Sequence, residues 1–259
     1  TFNVFTGVKP KLFLPKERTV FMLDTALYTL PYLEVVKSVE QGYKLYAVAK
    51  FNYENIKKFG NIEYLPHFIP PPPFEPLPYD QREYDFVTVG INETDFDRKG
   101  HFWNYVAQRW GFRTVDVCMN YCFGQHLTDI SDNDLFNYYR KSKWYLAMSH
   151  AESPHLPLLE AFALGTPAVF LNAHEFYHLN QQTPIGIPVT PSFVSVKGKK
   201  VFWFYETDPE AFLDAVSTAY RTPSVSWCKY SENVRKLFDK EYNMSNRLSK
   251  FYEVLGVGK

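Results

Sequence analysis

The chain has 259 residues, of which 46% are hydrophobic and 22% charged, a composition typical of a folded protein with one large or two small domains. The 28 basic residues balance the 28 acidic ones, so the zero net charge argues against a general nucleic-acid-binding protein. No run of about 18 apolar residues without charges occurs, which predicts no transmembrane helix. The first residues do not resemble a signal peptide, and we predict a cytoplasmic protein.

The first 65 residues alternate between strand-like and helix-like runs. Buried strands are predicted at 20–24, 43–49 and 61–65, and helices at 31–41 and 52–59. Alternation at this spacing favours a parallel α/β sheet.

Proline dominates residues 70–78, which exclude a helix or a central strand because proline fixes φ and lacks the N–H donor. We interpret the segment as a stiff linker at the end of a first domain, which spans residues 1–78. The alternative is a proline-rich ligand for a partner domain.

The α/β alternation resumes after the linker. Strands are predicted at 84–90, 114–118, 144–148, 168–171 and 201–205. Helices are predicted at 101–110, 132–140 and 209–220, the second of them capped by Ser131. We predict a domain at 79–223, followed by helices at 224–259.

Cys118, Cys122 and Cys228 are the only cysteines, and this small odd number does not indicate a disulfide framework. Their use favours a reducing compartment. Cys118 and Cys122 lie in a strand-like run without a second metal-ligand pair. We therefore expect buried structural roles rather than a zinc site.

Two carboxylates, Glu152 and Glu160, bracket a proline-containing turn that leads into a helix and then to Gly165-Thr-Pro167. The start of a helix offers free backbone N–H groups and a positive dipole end, which bind phosphate. Carboxylates accept hydrogen bonds from sugar hydroxyls. A phosphate between two polyols describes a nucleotide-sugar.

Residues 84–220 resemble the nucleotide-sugar-binding half of family 4 glycosyltransferases. The matching features are the strand ending at Gly90, Lys99-Gly100 before a helix, the acidic helix start at 131–135, the Glu152/Glu160 pair and Ala161-Phe-Ala-Leu-Gly-Thr-Pro167. The resemblance implies an α/β GT-B fold of two Rossmann-like lobes with parallel sheets, in which the terminal helices cross back to the first lobe. The first lobe has about 80 residues here, where the fold usually has about twice that, so we expect either a reduced N-terminal lobe or a chain that lacks an N-terminal part.

The resemblance implies transfer of a hexose from a nucleotide diphosphate sugar to a hydroxyl of a glycan, lipid or protein. It further implies retention of anomeric configuration, no required metal and no cofactor besides the donor. The balanced charge predicts no nucleic-acid partner. Glu152 and Lys99 are the implied catalytic residues. Glu152 would bind the transferred sugar, and Lys99 would counter the departing diphosphate.

The resemblance also implies a set of substrate-binding residues: Glu160 for the ribose, Gly90, Arg98, Ser153, His155 and Leu156. Backbone N–H groups from His155 to Leu158 would hold the distal phosphate, whereas the leucine side chains are expected in the core. The family's Gly-Phe-Gly is replaced here by Ser153-Pro154-His155, and we expect the His155 ring to reach a phosphate or a sugar. The family's arginine after the first strand is Ile91 here, and Arg98 could substitute for it.

Three alternatives remain open at this point. A binding module would keep the donor pocket but have lost turnover. A zinc metalloprotease is suggested by His174, Glu175 and His178, which match H-E-x-x-H. The basic run 197–200 permits peripheral membrane contact, although a solvated loop is the simpler interpretation.

Overall fold

In the computed structural model, the described residues are 3–6, 19–23, 40–92, 97–150, 155–173, 176, 182–183, 185–196 and 200–255. The first sheet is parallel, with strand order β1-β2-β3-β4. Its strands are Asn3–Thr6, Thr19–Leu23, Lys44–Ala47 and Ile62–Tyr64, and α1 (Lys50–Ile56) connects the last two. The predicted helix at 31–41 falls almost wholly outside the described residues.

The second sheet follows the proline-rich segment and is also parallel, with order β6-β5-β7-β8-β9. Its strands, in chain order from β5, are Tyr84–Ile91, Thr114–Met119, Ser142–Ala147, Ala168–Leu171 and Gly186–Ile187. The central strands β5, β7 and β8 are buried along most of their length because helices cover both faces of the sheet, and their side chains are mostly apolar. Four of the five were predicted from their apolar runs.

Six described α-helices follow the proline-rich segment, and the first five of them pack around this sheet. They are α2 (His101–Arg109), α3 (Asp132–Lys141), α4 (Leu156–Ala163), α5 (Pro209–Tyr220), α6 (Ser224–Leu237) and α7 (Met244–Leu255). The predicted cap of α3 is confirmed, since the Ser131 hydroxyl accepts a hydrogen bond from the N–H of Asp134 at 3.2 Å.

An antiparallel hairpin, β10 (Val189–Val196) with β11 (Lys200–Thr207), forms a third, two-stranded sheet. Only the second of these strands was predicted, because Pro191 interrupts the apolar pattern of the first. Lys200 begins β11, and the rest of the basic run lies outside the described residues.

The chain crosses back to the first sheet at its end, as predicted. Phe251 in α7 packs against Tyr46 and Leu65, and its ring meets that of Phe68 with centroids 5.3 Å apart. Burial of these rings stabilises the return crossing. Within the described residues, no helix has the length and apolar character needed to cross a membrane.

Arg82 joins the proline-rich segment to the second sheet, since its Nε donates a hydrogen bond to the Leu77 carbonyl at 3.1 Å. Its buried guanidinium donates to the Ser142 carbonyl at 2.6 Å and to the Thr166 hydroxyl at 2.7 Å, and it lies over the ring of Trp227. Burial lowers the pKa of Arg82 to about 9. The role of Arg82 is therefore structural, since its donors are used inside the core.

The cysteine prediction was wrong in one respect. Cys118 and Cys122 are bonded to each other as a disulfide, with their Cα atoms 5.8 Å apart, while Cys228 is free and exposed. The pairing arises because Asn120 takes a left-handed conformation, with a φ of 71°, and turns the chain back on itself. Spacing alone did not reveal this turn.

Candidate active site

The carboxyl ends of β5 and β7 mark the point where the order of the second sheet reverses. β5 lies between β6 and β7, so the chain leaves β5 on one side and resumes the sheet on the other. In open parallel sheets, ligands bind in the crevice outside the strand ends at such a point. Gly90 lies at the end of β5 and Asn92 follows it, while Ser149 and His150 follow β7.

A turn at residues 97–100 lies at the carboxyl ends of these strands and leads into α2. Gly100 has a φ of 74°, and a Cβ atom at this position would lie 2.3 Å from the carbonyl oxygen of Met148. Both the backbone conformation and the close approach therefore require glycine.

The same turn is fastened to the end of β7. The carbonyl of Arg98 accepts hydrogen bonds from the backbone N–H of His150 at 2.9 Å and from the hydroxyl of Ser149 at 3.2 Å. The backbone of Arg98 therefore joins two of the segments that line the strand ends.

Lys99 lies directly over Gly90. A Cβ atom at Gly90 would lie 2.8 Å from Cγ and 3.2 Å from Cδ of the lysine, so the absence of a side chain there makes room for the lysine stem. The backbone N–H of Lys99 donates to Oδ1 of Asn92 at 2.8 Å. The structure thus brings together Gly90, Arg98 and Lys99, three residues singled out from the sequence.

His155 immediately precedes α4, and its ring is turned into the core. Its Nε2 lies 2.8 Å from the Tyr145 hydroxyl, and the ring contacts Phe176 edge to face. The same hydroxyl donates to the carbonyl of Val89 at 3.0 Å, which links the start of α4 to the end of β5. This placement differs from the expectation that the ring reaches a phosphate or a sugar, because the buried ring contacts Tyr145 through Nε2 instead.

The leucines at the start of α4 divide between surface and core. Leu158 and Leu159 are buried as expected, whereas Leu156 is 37% exposed, so its predicted core placement was wrong. Leu156 is the first residue of the helix, and the side chains that pack into the core come after it. Its exposure is compatible with its assignment to the donor site.

Glu160 lies in the second turn of α4 and is partly buried. The hydroxyl of Tyr139 donates to its Oε2 at 3.1 Å. Burial raises the pKa of Glu160 to about 7; the Tyr139 hydrogen bond opposes this rise, and the negative charge of Asp132 adds to it. Such a carboxyl group gains from any hydroxyl donor that replaces the water lost on burial.

A charge-removing substitution at Glu160 is expected to stabilise the unliganded protein. A raised carboxyl pKa means that the stability contributed by the protonated form is complete below about pH 4.5 and is lost as the pH rises through about 7. Glu160→Gln should therefore raise the free energy of unfolding by about 2 kcal/mol at pH 8, because residual water contact reduces the full value of the pKa shift. At pH 4.5 the two proteins should be equally stable.

Urea unfolding at both pH values measures this effect. The exposed Glu206 supplies the matched control, and Glu206→Gln should leave the free energy of unfolding nearly unchanged at pH 8. A Glu160→Gln protein that is less stable than the wild type at pH 8 would contradict the assignment of a desolvated carboxyl group.

A buried polar pair lies beneath the start of α2. Nδ1 of His101 is 2.5 Å from Oδ1 of Asp116, and neither side chain is exposed. Burial raises the pKa of Asp116, and the contact with His101 opposes the rise. Cys118 is close to both, but its sulfur is bonded to Cys122 and so cannot act as a thiolate ligand for a metal.

Several predicted site residues lie outside the described residues: Glu152, Ser153, His174, Glu175 and His178. Sequence reasoning also missed Asn92 and Tyr139, which contact Lys99 and Glu160 respectively. The position of Asn92, two residues after the glycine that ends a strand, was the available signal for it.

Comparison with known proteins decides the family. No family model matches the chain. Over 256 residues the chain is 45% identical to a provisionally named glycosyltransferase, ORF315 of Acidianus bottle-shaped virus, a match that covers 97% of this chain and 80% of the viral protein. The chain belongs to this glycosyltransferase family. A second provisionally named glycosyltransferase, ORF313 of Acidianus filamentous virus 1, is 26% identical over 229 residues, or 80% of this chain and 70% of that protein.

Solved structures show that this glycosyltransferase has the GT-B fold. Sucrose-phosphate synthase from Thermosynechococcus elongatus superposes with a TM-score of 0.65 at 14% identity, covering 92% of this chain and 67% of that one. WaaG, a glycosyltransferase involved in lipopolysaccharide biosynthesis, superposes with a TM-score of 0.63 at 15% identity, covering 97% and 77%. The predicted fold is therefore confirmed. A nucleotide-sugar donor and an acceptor follow from family membership.

Proposed function

We propose that this glycosyltransferase moves a hexose from a nucleotide diphosphate sugar to an acceptor hydroxyl, with retention of anomeric configuration and without a required metal. The bond between the anomeric carbon and the diphosphate oxygen breaks, and the acceptor oxygen bonds to that carbon. The acceptor proton leaves with the diphosphate. The acceptor is a glycan, a lipid or a protein.

The proposal depends chiefly on Lys99, whose stem lies over Gly90 at the reversal point of the sheet. As the sugar departs, negative charge grows on the diphosphate. A cation placed there in advance stabilises the transition state more than the ground state. Arg98, in the same turn, supplies a second cation.

The remaining roles follow from the site around α4. The N–H groups of His155 and Leu156 would bind the distal phosphate, because Pro157 has no N–H and the N–H of Leu158 donates to the His155 carbonyl at 3.0 Å. Glu160 would accept hydrogen bonds from the ribose hydroxyls, which would compensate its desolvation. Glu152 and Ser153 would contact the transferred sugar. Closure of the lobes about residues 70–78 would exclude water.

Release of nucleoside diphosphate from UDP-, GDP- and ADP-glucose tests the function. One donor should be consumed, in the presence of EDTA as well as without it, and the anomeric configuration of the product should match that of the donor. Binding of a donor without release of diphosphate would instead support a binding module. Failure to bind any of a wider panel of sugar nucleotides would overturn the proposal.

A further inference from the structure

The side chain of Asn92 is buried, with 2% exposure, and it is fully engaged in hydrogen bonds around the Lys99 turn. Its Nδ2 donates to Oδ1 of Asp97 at 2.7 Å and to the Tyr121 carbonyl at 2.5 Å. Its Oδ1 accepts from the backbone N–H of Lys99 at 2.8 Å. One amide group thus uses both of its donor hydrogens and its acceptor on three residues, two in the 97–100 turn and one in the loop at 118–122.

The segment beneath Asn92 is held by the disulfide. Between the two cysteines, Asn120 donates through Nδ2 to the Asn92 carbonyl at 2.8 Å. The backbone N–H of Asn92 donates to the Met119 carbonyl at 3.1 Å. Asn92 is therefore anchored through backbone and side chain to a loop that the Cys118–Cys122 bond closes.

The segment above Asn92 is the start of α2. Asp97 accepts the N–H of His101 at 2.9 Å and that of Phe102 at 2.8 Å, which satisfies two of the unpaired donors of this helix. These N–H groups are consequently not available to an anion. At this helix a diphosphate would be met by the Lys99 side chain rather than by the backbone.

We propose that Asn92 is a positioning residue that holds the Lys99 ammonium group in place for the donor diphosphate. The inference rests on the proposed function. Asn92 fixes the lysine N–H directly and fixes the Asp97 carboxylate that closes the same turn. Because the lysine stem also lies against Gly90, the direction of the side chain is set from two sides. Loss of the amide would leave the lysine present but misplaced.

Asn92→Leu tests this, because leucine has a similar size and adds no charge. Binding of UDP, GDP and ADP to the full chain would be measured by calorimetry. For the nucleotide that the wild type binds, Asn92→Leu should raise Kd by about tenfold, since small misplacements of a contacting group have large effects.

Asn104→Leu is the matched control. Asn104 is also buried and its Nδ2 also donates two hydrogen bonds, to Thr88 and Val115, but neither touches the Lys99 turn. Its Kd should stay within about twofold of the wild type, while thermal unfolding temperatures fall in both variants.

A double variant separates positioning from general loosening. If Asn92 acts through Lys99, the variant carrying both Asn92→Leu and Lys99→Met should bind no more weakly than Lys99→Met alone. Independent, additive losses in Kd would overturn the inference, as would equal losses in the Asn92 and Asn104 variants. A wild-type chain that binds no sugar nucleotide or nucleoside diphosphate would instead overturn the proposed function.

Discussion

Lys99→Met is expected to slow sugar transfer by about 10²–10³-fold, the loss typical of removing one preorganised charge from a transition state. Methionine keeps an unbranched stem over Gly90 and deletes only the ammonium group. Because the diphosphate gains charge as the sugar leaves, kcat should fall more than KM rises. Steady-state release of nucleoside diphosphate gives both constants.

Lys143→Met is the matched control for this prediction. Lys143 lies near the amino end of β7, away from the carboxyl ends of the strands where the candidate site lies. Its Nζ is 3.5 Å from Oδ1 of Asp85 and lies over the ring of Tyr79. Its loss should alter stability slightly and leave kcat within about twofold, since it is remote from the strand ends. Equal losses of kcat in the two variants would contradict the role of Lys99.

Gly100→Ala is expected to lower the free energy of unfolding by about 2–5 kcal/mol. A left-handed residue other than glycine costs about 1–2 kcal/mol. The new Cβ atom would also lie 2.3 Å from the Met148 carbonyl oxygen, and relieving such overpacking costs about 1–3 kcal/mol more. Urea unfolding monitored by tryptophan fluorescence measures the loss.

Gly111→Ala isolates the backbone part of this effect. Gly111 also has a positive φ, of 89°, but a Cβ atom there would meet nothing within 4 Å. It should therefore cost only about 1–2 kcal/mol. If Gly100→Ala and Gly111→Ala lower the free energy of unfolding equally, the close contact between the 97–100 turn and the end of β7 is contradicted.

Much of the second sheet could be predicted because its strands are apolar runs bounded by turn residues. The runs around Phe86, Trp144 and Phe170 are buried on both faces, so their pattern did not depend on distant partners. The helix predicted near 209–220 is observed at Pro209–Tyr220, where the Asp208 side chain caps its start and Pro209 begins it. The strand at Val189–Val196 was missed because its pairing with Lys200–Thr207 is what overcomes its weak local preference.

The site was predicted in its residue types and less well in its contacts. Gly90 and Lys99 were both assigned to the site from the family motifs, and the structure adds that the Lys99 side chain lies over Gly90. Glu160 was predicted as a hydroxyl acceptor, but its contact with Tyr139 joins residues 21 positions apart and no local pattern encodes it. The ring of His155 was expected to reach a phosphate or a sugar, but it is buried and packs against Phe176.

The sequence by itself determined the family resemblance, the parallel α/β pattern and the order of the motif residues, because periodicity, caps and glycines act over a few neighbouring positions. Only the tertiary structure decided what those residues touch. In the tertiary structure the 97–100 turn packs against the end of β7, and a disulfide joins Cys118 to Cys122. The Asn92 side chain forms hydrogen bonds with three residues. Hydrogen bonds and close packing between segments depend on distances that spacing along the chain does not contain.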